Sequence, residues 1–328
     1  MMKEDSILRF VILSQLKNKK ILYLVDDLRY IQNDCYQAGL YEEIKNHCEL
    51  TLFEFNPTPL LHLKKYITNP KKFDKVISVL RLRTLYKHWP YLSSWLSGKE
   101  IIIYDQDPWE SYIDDSPYNG VYNILKSNLN INVVHVTAPY WRDMLRNDGI
   151  NSEFAEMGTP KEKCSIGLPI DSRSIDCGFI GSLHPRRKIS FEKLQQLGVD
   201  VKIPSSRLSH GDYLNYIQKM KIFIFDESQG VWICNQKKIK PSTGMWIKAI
   251  EIASRGTFCV RDFHREGNAY NINDIPLIQC FKSINEVPDI VDRILTMPSR
   301  RKNEIQKHSV DFIKNRNSWN AVSKKLCE

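Results

Sequence analysis

Two successive runs of alternating strand and helix patterns, parted by a Pro- and Gly-containing break, predict an α/β protein of two doubly wound domains. The strands carry the first signal. ILYLV in KKILYLVDD (19–27), VISVL in FDKVISVL (73–80), III in EIIIYDQD (100–107) and INVVHVT (131–137) are short, almost continuous apolar runs, as expected of parallel strands covered on both faces. Stretches of helical length and period lie between them. The third signal is bulk composition. Hydrophobic residues are 42% and charged residues 26% of 328, a folded balance with material for two cores of ordinary size.

Taken in order, the first half reads as strands at 19–27, 48–55, 73–80, 100–107 and 131–137. Helical patterns fall at 30–46, 58–67, 84–97, 118–128 and 138–148. MGTPKEKCSIGLPIDSRS (157–174) then loses all apolar period and holds two Pro, two Gly and four Ser or Thr, so it reads as a linker. The alternation restarts with SIDCGFIG (174–181), GVDVKIP (198–204), KIFIFDES (221–228), GTFCVRDF (256–263) and PLIQCF (276–281). Helices are expected near 188–197, 209–219 and 244–255, and three more near 284–297, 299–314 and 317–326. The expected domains are 1–157 and 174–316, with a linker over 158–173 and a closing helix over 317–328. Ligands of such sheets bind beyond the carboxyl ends of strands. Two such domains are expected to face each other across a cleft.

Bulk properties narrow the partners. No apolar run reaches the ~18 residues that span a bilayer. The start, MMKEDSILRFVILSQLKNKK, is interrupted by Arg9 and Gln15 and lacks a small-residue cleavage site, so it reads as a short amphipathic helix rather than a signal peptide. The eight Cys form no CxxC pair and read as reduced thiols. A cytoplasmic protein is expected. The net charge of +9 and pI near 9.0 point to an anionic partner: a nucleotide, a nucleic acid or an acidic membrane surface. No basic run with interleaved aromatics marks a nucleic-acid groove, so a nucleic-acid partner is not expected.

Three stretches carry candidate chemistry. CGFIGSLHPRRKISFEKLQQLG (177–198) runs from a strand through a Gly-Ser turn into a helix. Backbone N–H groups and the helix dipole bind phosphate in that geometry. Gly181 and Ser182 form the turn, and Arg186, Arg187 and Lys188 add charge. Three cations at a helix start oppose its dipole unless an anion lies between them; a solvated helix start is the plainer reading. KKIKPSTGMWIKAIEIASRGTFCVRDF (237–263) reads as a helix capped by Ser242 or Thr243, with Lys240 just before it. Lys248 and Glu251 share one polar seam on its otherwise apolar surface. A buried Glu there needs a partner, and a ribose would serve. IIIYDQDPWESYIDD (101–115) ends a strand with Asp105, Asp107 and Glu110 beside Trp109 and Tyr112. That set suits a general base and a carbohydrate acceptor, or merely an acidic turn. Asp26 and Asp27 read as a cap for the helix over 30–46. No His or carboxylate spacing suggests a metal site.

The second half resembles the nucleotide-sugar half of a glycosyltransferase of the GT-B fold. From about 174 to 326 it is similar in layout to the spore-maturation-protein-like glycosyltransferases: a strand, a Gly-Ser turn with basic residues, a helix with xxxExxxxG, then a strand and an acidic turn. GS-[LF]-x(n)-R also resembles the phage DNA β-glucosyltransferases. The resemblance implies two Rossmann-like domains and a closing helix that returns to the first. It implies that Gly181, Ser182, Arg186 and Arg187 meet a diphosphate, that Lys248 matches a donor-binding basic residue and that Glu251 binds ribose. Leaving-diphosphate charge would fall to Arg186, Lys188 or Lys240 and to Ser242 and Thr243, with Asp107 or Asp105 as base if the reaction inverts. Trp109, Glu110 and Tyr112 would hold the acceptor. One departure is plain: many retaining members carry a Glu seven residues ahead of the ribose Glu, and position 244 here is Gly. The expected function is transfer from a nucleotide-diphosphate sugar to a glycan or lipid-linked acceptor in surface polysaccharide synthesis. No metal or cofactor is expected. The expected setting is the inner face of the plasma membrane, with peripheral contact to its anionic lipid. A DNA-modifying glucosyltransferase and an inactive nucleotide- or glycan-binding relative are the alternatives.

Overall fold

The computed structural model describes residues 19–26, 36–55, 70–206, 208–225, 232–234, 237–239, 246–263, 265–320 and 323. The helix expected over 58–67, and Asp27, Lys240, Ser242 and Thr243, lie outside the described residues. Two compact units emerge: 1–157 with 232–239 and 319–328, and 158–231 with 240–318.

The first unit holds β1 (Lys20–Val25), α1 (Tyr36–Lys45), β2 (Glu49–Glu54), β3 (Lys75–Ser78), α2 (Leu82–Trp95), β4 (Ile101–Asp105), α3 (Val121–Asn128), β5 (Ile131–Val136), α4 (Pro139–Asn147) and β6 (Ser152–Phe154). All six strands are parallel, in the order β2-β1-β3-β4-β5-β6. β6 has three residues, too few for a period in the sequence. Leu22, Leu24, Val76, Ile101, Ile103 and Val134 form the middle of the core, which is why these strands read as continuous apolar runs.

The second unit holds β7 (Ile175–Gly178), α5 (Pro185–Gln196), β8 (Val201–Lys202), α6 (His210–Lys219) and β9 (Met220–Phe225). An antiparallel pair follows, β10 (Trp232–Cys234) with β11 (Lys237–Ile239), which groups with the first unit. Back in the second unit come α7 (Trp246–Ala253), β12 (Phe258–Asp262), β13 (Ile278–Phe281), α8 (Val287–Thr296) and α9 (Ser299–Arg316). Its sheet is again all parallel, in the order β13-β12-β9-β7-β8.

Each order reverses once, between β1 and β3 and between β7 and β9. Right-handed crossovers then put helices on opposite faces of the sheet on either side of the reversal. α5 lies on one face of the second sheet, and α6 and α7 lie together on the other. The crevice beyond the carboxyl ends of strands at the reversal is the place for a ligand. It opens after Val25 and Ser78 in the first unit and after Gly178 and Phe225 in the second.

The segment over 158–173 is not a free linker. It packs into the second unit through Arg173, which is 3% exposed. Its guanidinium donates to the carbonyls of Leu168 (3.0 Å), Ile166 (3.0 Å), Met220 (2.9 Å) and Arg255 (3.3 Å), and to the Thr257 hydroxyl. Proline and glycine break the helical period here, but the carbonyls they free converge on one cation. At the other end of the chain, Trp319 is 1% exposed and belongs to the first unit. Its indole lies edge-on to Tyr104, 6.5 Å between centroids, and against Gly39 so closely that a methyl group there would overlap it.

These anchors yield two stability predictions. Arg173→Met removes five hydrogen bonds at one buried site and should cost ~3 kcal/mol or more in denaturant unfolding; a loss under ~1 kcal/mol would show that the clasp is dispensable. Trp319→Ala should cost about 3–5 kcal/mol, and Gly39→Ala should destabilise the wild-type chain far more than the Trp319→Ala background.

Candidate functional site

At the carboxyl edge of the first sheet, β1 is followed by Asp26, which is 2% exposed. Its carboxylate accepts the Arg81 backbone N–H (3.0 Å), Arg81 Nε (3.2 Å) and the Thr84 hydroxyl. Asp26 therefore ties the end of β1 to the start of α2. The reversal of strand order brings β1 beside β3, so these partners lie 55 and 58 residues away; the start of the helix expected over 30–46 lies outside the described residues.

β4 ends in Asp105, 3% exposed. Tyr122 OH donates to its Oδ2 at 2.6 Å, and the Asp107 N–H donates to its Oδ1 at 2.9 Å. Burial pushes the Asp105 carboxyl up to about 7; the Tyr122 and Asp107 hydrogen bonds offset part of the rise, and the charges of Asp107 and Glu110 add to it. Asp105 does not face an acceptor as the expected general base would, because its carboxyl is turned into the fold. Residues two apart in a continuing strand would share a face; β4 stops at Asp105, and the bend at Gln106 turns Asp107 outward. Asp107 is half-buried and held from both sides: Trp109 Nε1 donates to Oδ1 at 3.1 Å and Gln106 Nε2 to Oδ2 at 3.0 Å.

Trp109 and Glu110 stay partly exposed beside Asp107, on the one-turn 3-10 helix Pro108–Ser111. Burial and then the Asp107 charge raise the Glu110 carboxyl, while Arg83 and Arg81 pull it back. Tyr112 does not join them. It is 5% exposed and stacked on Trp141 at 5.8 Å between centroids, so it is a core residue and not an acceptor contact. The turn of the 3-10 helix rolls it inward.

In the second unit the Gly-Ser turn follows β7 at the reversal. Gly181, Ser182, Arg186 and Lys188 are exposed. α5 begins at Pro185, three residues earlier than its apolar period suggests, and His184 caps it by accepting the Arg187 N–H at 3.4 Å. That early start decides the fate of the three cations. Arg187, Phe191 and Leu194 recur at i, i+4 and i+7 and are the buried face of α5. Arg187 is 8% exposed; Nη1 donates to the Ser182 carbonyl at 2.6 Å, and the guanidinium lies 4.9 Å from the Phe179 ring and 5.3 Å from the Phe225 ring. It braces the turn from beneath and does not reach out to a diphosphate. Arg261, fully buried at the end of β12, lies 5.6 Å from the same Phe225 ring. Two guanidinium groups thus lie under the carboxyl edge of this sheet.

Lys248 and Glu251 lie one turn apart on α7, each about a quarter exposed (28% and 25% of the side chain), with Lys248 Nζ 3.0 Å from Glu251 Oε2. Tyr213 of α6, which nothing in the sequence singles out, donates to the same Oε2 at 2.7 Å. Lys248 Nζ also donates to Tyr213 OH at 2.5 Å and lies 4.6 Å from its ring centroid. Burial raises the Glu251 carboxyl, but the Lys248 charge and the Tyr213 and Lys248 hydrogen bonds outweigh it, and Arg255 adds to them; the carboxyl is held below its ordinary value. Among the described residues, no group of three or more His, Cys, Asp or Glu is placed to hold a metal ion, and no helix is long and apolar enough to cross a membrane.

Asp105 yields a pH prediction. Its folded carboxyl binds a proton more tightly than the unfolded one, whose value is about 4. Its protonation therefore adds stability below about pH 4, and that stability is lost as the pH rises to about 7. The slope is about 1.4 kcal/mol per pH unit across that window. Unfolding wild type and Asp105→Asn side by side from pH 4 to 8 should show the variant gaining on the wild type by roughly a few kcal/mol as pH rises. A pH-independent difference would rule out the neutral Asp105.

No family model and no curated protein matches the sequence. Solved structures do match the fold. HepE of Anabaena, described in complex with UDP and glucose, aligns with a TM-score of 0.59 at 10% identity, over 94% of this chain and 98% of that one. The sucrose-phosphate synthase of Thermosynechococcus elongatus aligns at 0.60 with 11% identity, over 94% and 97%. The T4 phage β-glucosyltransferase aligns at 0.56 with 11% identity, again over 94% and 97%. These neighbours are glycosyltransferases of the GT-B type, and with two parallel-sheet units of matching order the chain has the GT-B fold.

Proposed function

We propose that the protein is a glycosyltransferase that takes a sugar from a nucleotide-diphosphate donor held in its second unit. The observation that carries this reading is the entrance to α5. A Gly-Ser turn opens at the reversal of strand order, is braced from beneath by Arg187, and leads into a helix whose first turn exposes Arg186 and Lys188 and contains no acid. The helix dipole and two exposed cations together suit a diphosphate. Preorganised charge that stabilises the leaving diphosphate is the main contribution such a site makes to catalysis. Glu251, ionised and one turn from Lys248, suits the ribose. Lys240, Ser242 and Thr243 stay in this proposal as further diphosphate contacts, on sequence grounds alone.

The acceptor falls to the first unit. Trp109 offers an aromatic face, Glu110 a carboxyl, and Asp107 is the general base if the reaction inverts. The acceptor class we propose is a glycan or lipid-linked glycan of surface polysaccharide synthesis, with the protein in the cytoplasm at the inner face of the plasma membrane. The +9 charge supports peripheral contact with anionic lipid there. The same charge favours one second reading, transfer to DNA, which a steep fall of acceptor affinity with salt would reveal.

UDP is the first probe, because HepE is described with it. In thermal-shift and calorimetric titrations of the full chain, UDP or another nucleoside diphosphate should stabilise the protein. Arg186→Ala and Lys188→Ala should each weaken it about tenfold, ~1.4 kcal/mol. A flat response to UDP, GDP, CMP, dTDP and their sugars would overturn the donor reading. Asp107→Asn should cut transfer ~100-fold or more while leaving nucleotide affinity unchanged; full activity would remove Asp107 from the mechanism.

A further inference from the structure

We infer that Tyr213 is a positioning residue that fixes Glu251 and gives the nucleotide site its preference for ribose over 2′-deoxyribose. The inference rests on the donor reading above and adds to it a residue from another helix. Among the described residues, both hydrogen bonds that the Glu251 carboxylate accepts land on Oε2, from Tyr213 OH at 2.7 Å and Lys248 Nζ at 3.0 Å. Among the described residues Oε1 accepts none. A carboxylate pinned by two donors on one oxygen has its torsion set, and the other oxygen keeps its lone pairs for a ligand. One carboxylate oxygen can accept from two adjacent hydroxyls, and a ribose presents two. A 2′-deoxyribose presents one, so the pinned geometry discriminates while a freely turning carboxylate would adapt to either.

Lys248 by itself does not set that geometry. It sits on α7 with Glu251, one turn away, and an ammonium is a point charge that follows a carboxylate as it turns. Tyr213 comes from α6, on a rigid ring, and reaches Glu251 only because both crossovers lie on one face of the sheet. Lys248 against the ring face (4.6 Å) and on the hydroxyl (2.5 Å) holds that ring in turn. Burial, with the Glu251 charge and hydrogen bond, pushes the phenol well above its ordinary value. Tyr213 therefore keeps its proton and donates a hydrogen bond to Glu251. The sites of selectivity that reject a missing hydroxyl strongly are those built on positioned polar groups.

The experiment titrates full-length wild type, Tyr213→Phe, Glu251→Gln and the double variant with UDP and with 2′-deoxy-UDP. Thermal melts confirm that each is folded. The wild type should prefer UDP about tenfold or more. Tyr213→Phe should bring the preference below about threefold, mainly by weakening UDP. The double variant should lose no more than Glu251→Gln, because Tyr213 acts through Glu251. A wild type that prefers UDP, with the preference intact in Tyr213→Phe, overturns the inference and leaves the donor reading standing. Additive losses in the double variant, or equal binding of both nucleotides by the wild type, overturn it as well. Binding of neither nucleotide by the wild type overturns the inference together with UDP as the donor nucleotide. If Tyr213→Phe melts early, its two titrations are made at a temperature where the melt shows it folded, and an unchanged preference there overturns the inference.

Discussion

A parallel strand is reached by a crossover, and crossovers in L-protein chains are right-handed. A sheet that grows first one way and then the other must therefore contain one seam where the helices change face. Each unit has such a seam, at β1/β3 and at β7/β9. The chemistry described above depends on it. At the first seam Asp26 finds Arg81 and Thr84. At the second, the Gly-Ser turn and α5 leave on one side while α6 and α7 come together on the other. The seam is the edge position where neighbouring chain segments diverge and leave backbone N–H groups and side chains facing a crevice.

Around that scaffold the protein uses buried carboxylates in opposite senses. Asp105 and Glu251 both meet the penalty that burial imposes on a charge. Asp105 has a phenol and a backbone N–H as partners, with two further acids nearby, and rises to about 7. Glu251 has a phenol too, but also an ammonium at 3.0 Å and Arg255 beyond it, and stays ionised. The difference is nearby positive charge. It separates a carboxyl that shapes a turn from one able to bind hydroxyl groups by its charge. The 105–112 turn then hands its outward position to Asp107, whose side chain is locked by Trp109 and Gln106.

Much of this was legible before the structure. Continuous apolar runs marked nearly every strand, because both faces of each are covered. The Gly-Ser turn, Arg186 and Lys188 lie between a strand end and a helix start, Asp107 and Trp109 follow a strand end, and Lys248 and Glu251 lie one turn apart on α7. Three misreadings share one cause: Arg187, Tyr112 and Asp105 are charged or polar-tipped and stand at a turn or strand end, and that position assigned each to a site. A guanidinium can instead lie flat on Phe179 and Phe225, a tyrosine can stack on Trp141, and a carboxyl can hydrogen-bond inside once neutral. Whether a side chain turns in depends on where its helix or turn begins. For α5 that was three residues before the apolar period showed.

The amino-acid sequence by itself determined the period of the longer elements, hence two α/β units, their parallel sheets and the basic turn at the start of α5. Those follow from local rules: alternation, capping and the φ of Gly and Pro. Only the tertiary structure decided which groups meet. Tyr213 and Glu251 are 38 residues apart, Asp26 and Arg81 are 55, and Arg173 and Thr257 are 84. No local period carries such a distance. Strand order and the handedness of crossovers close it, and burial then decides which of the polar groups brought together keep their charge.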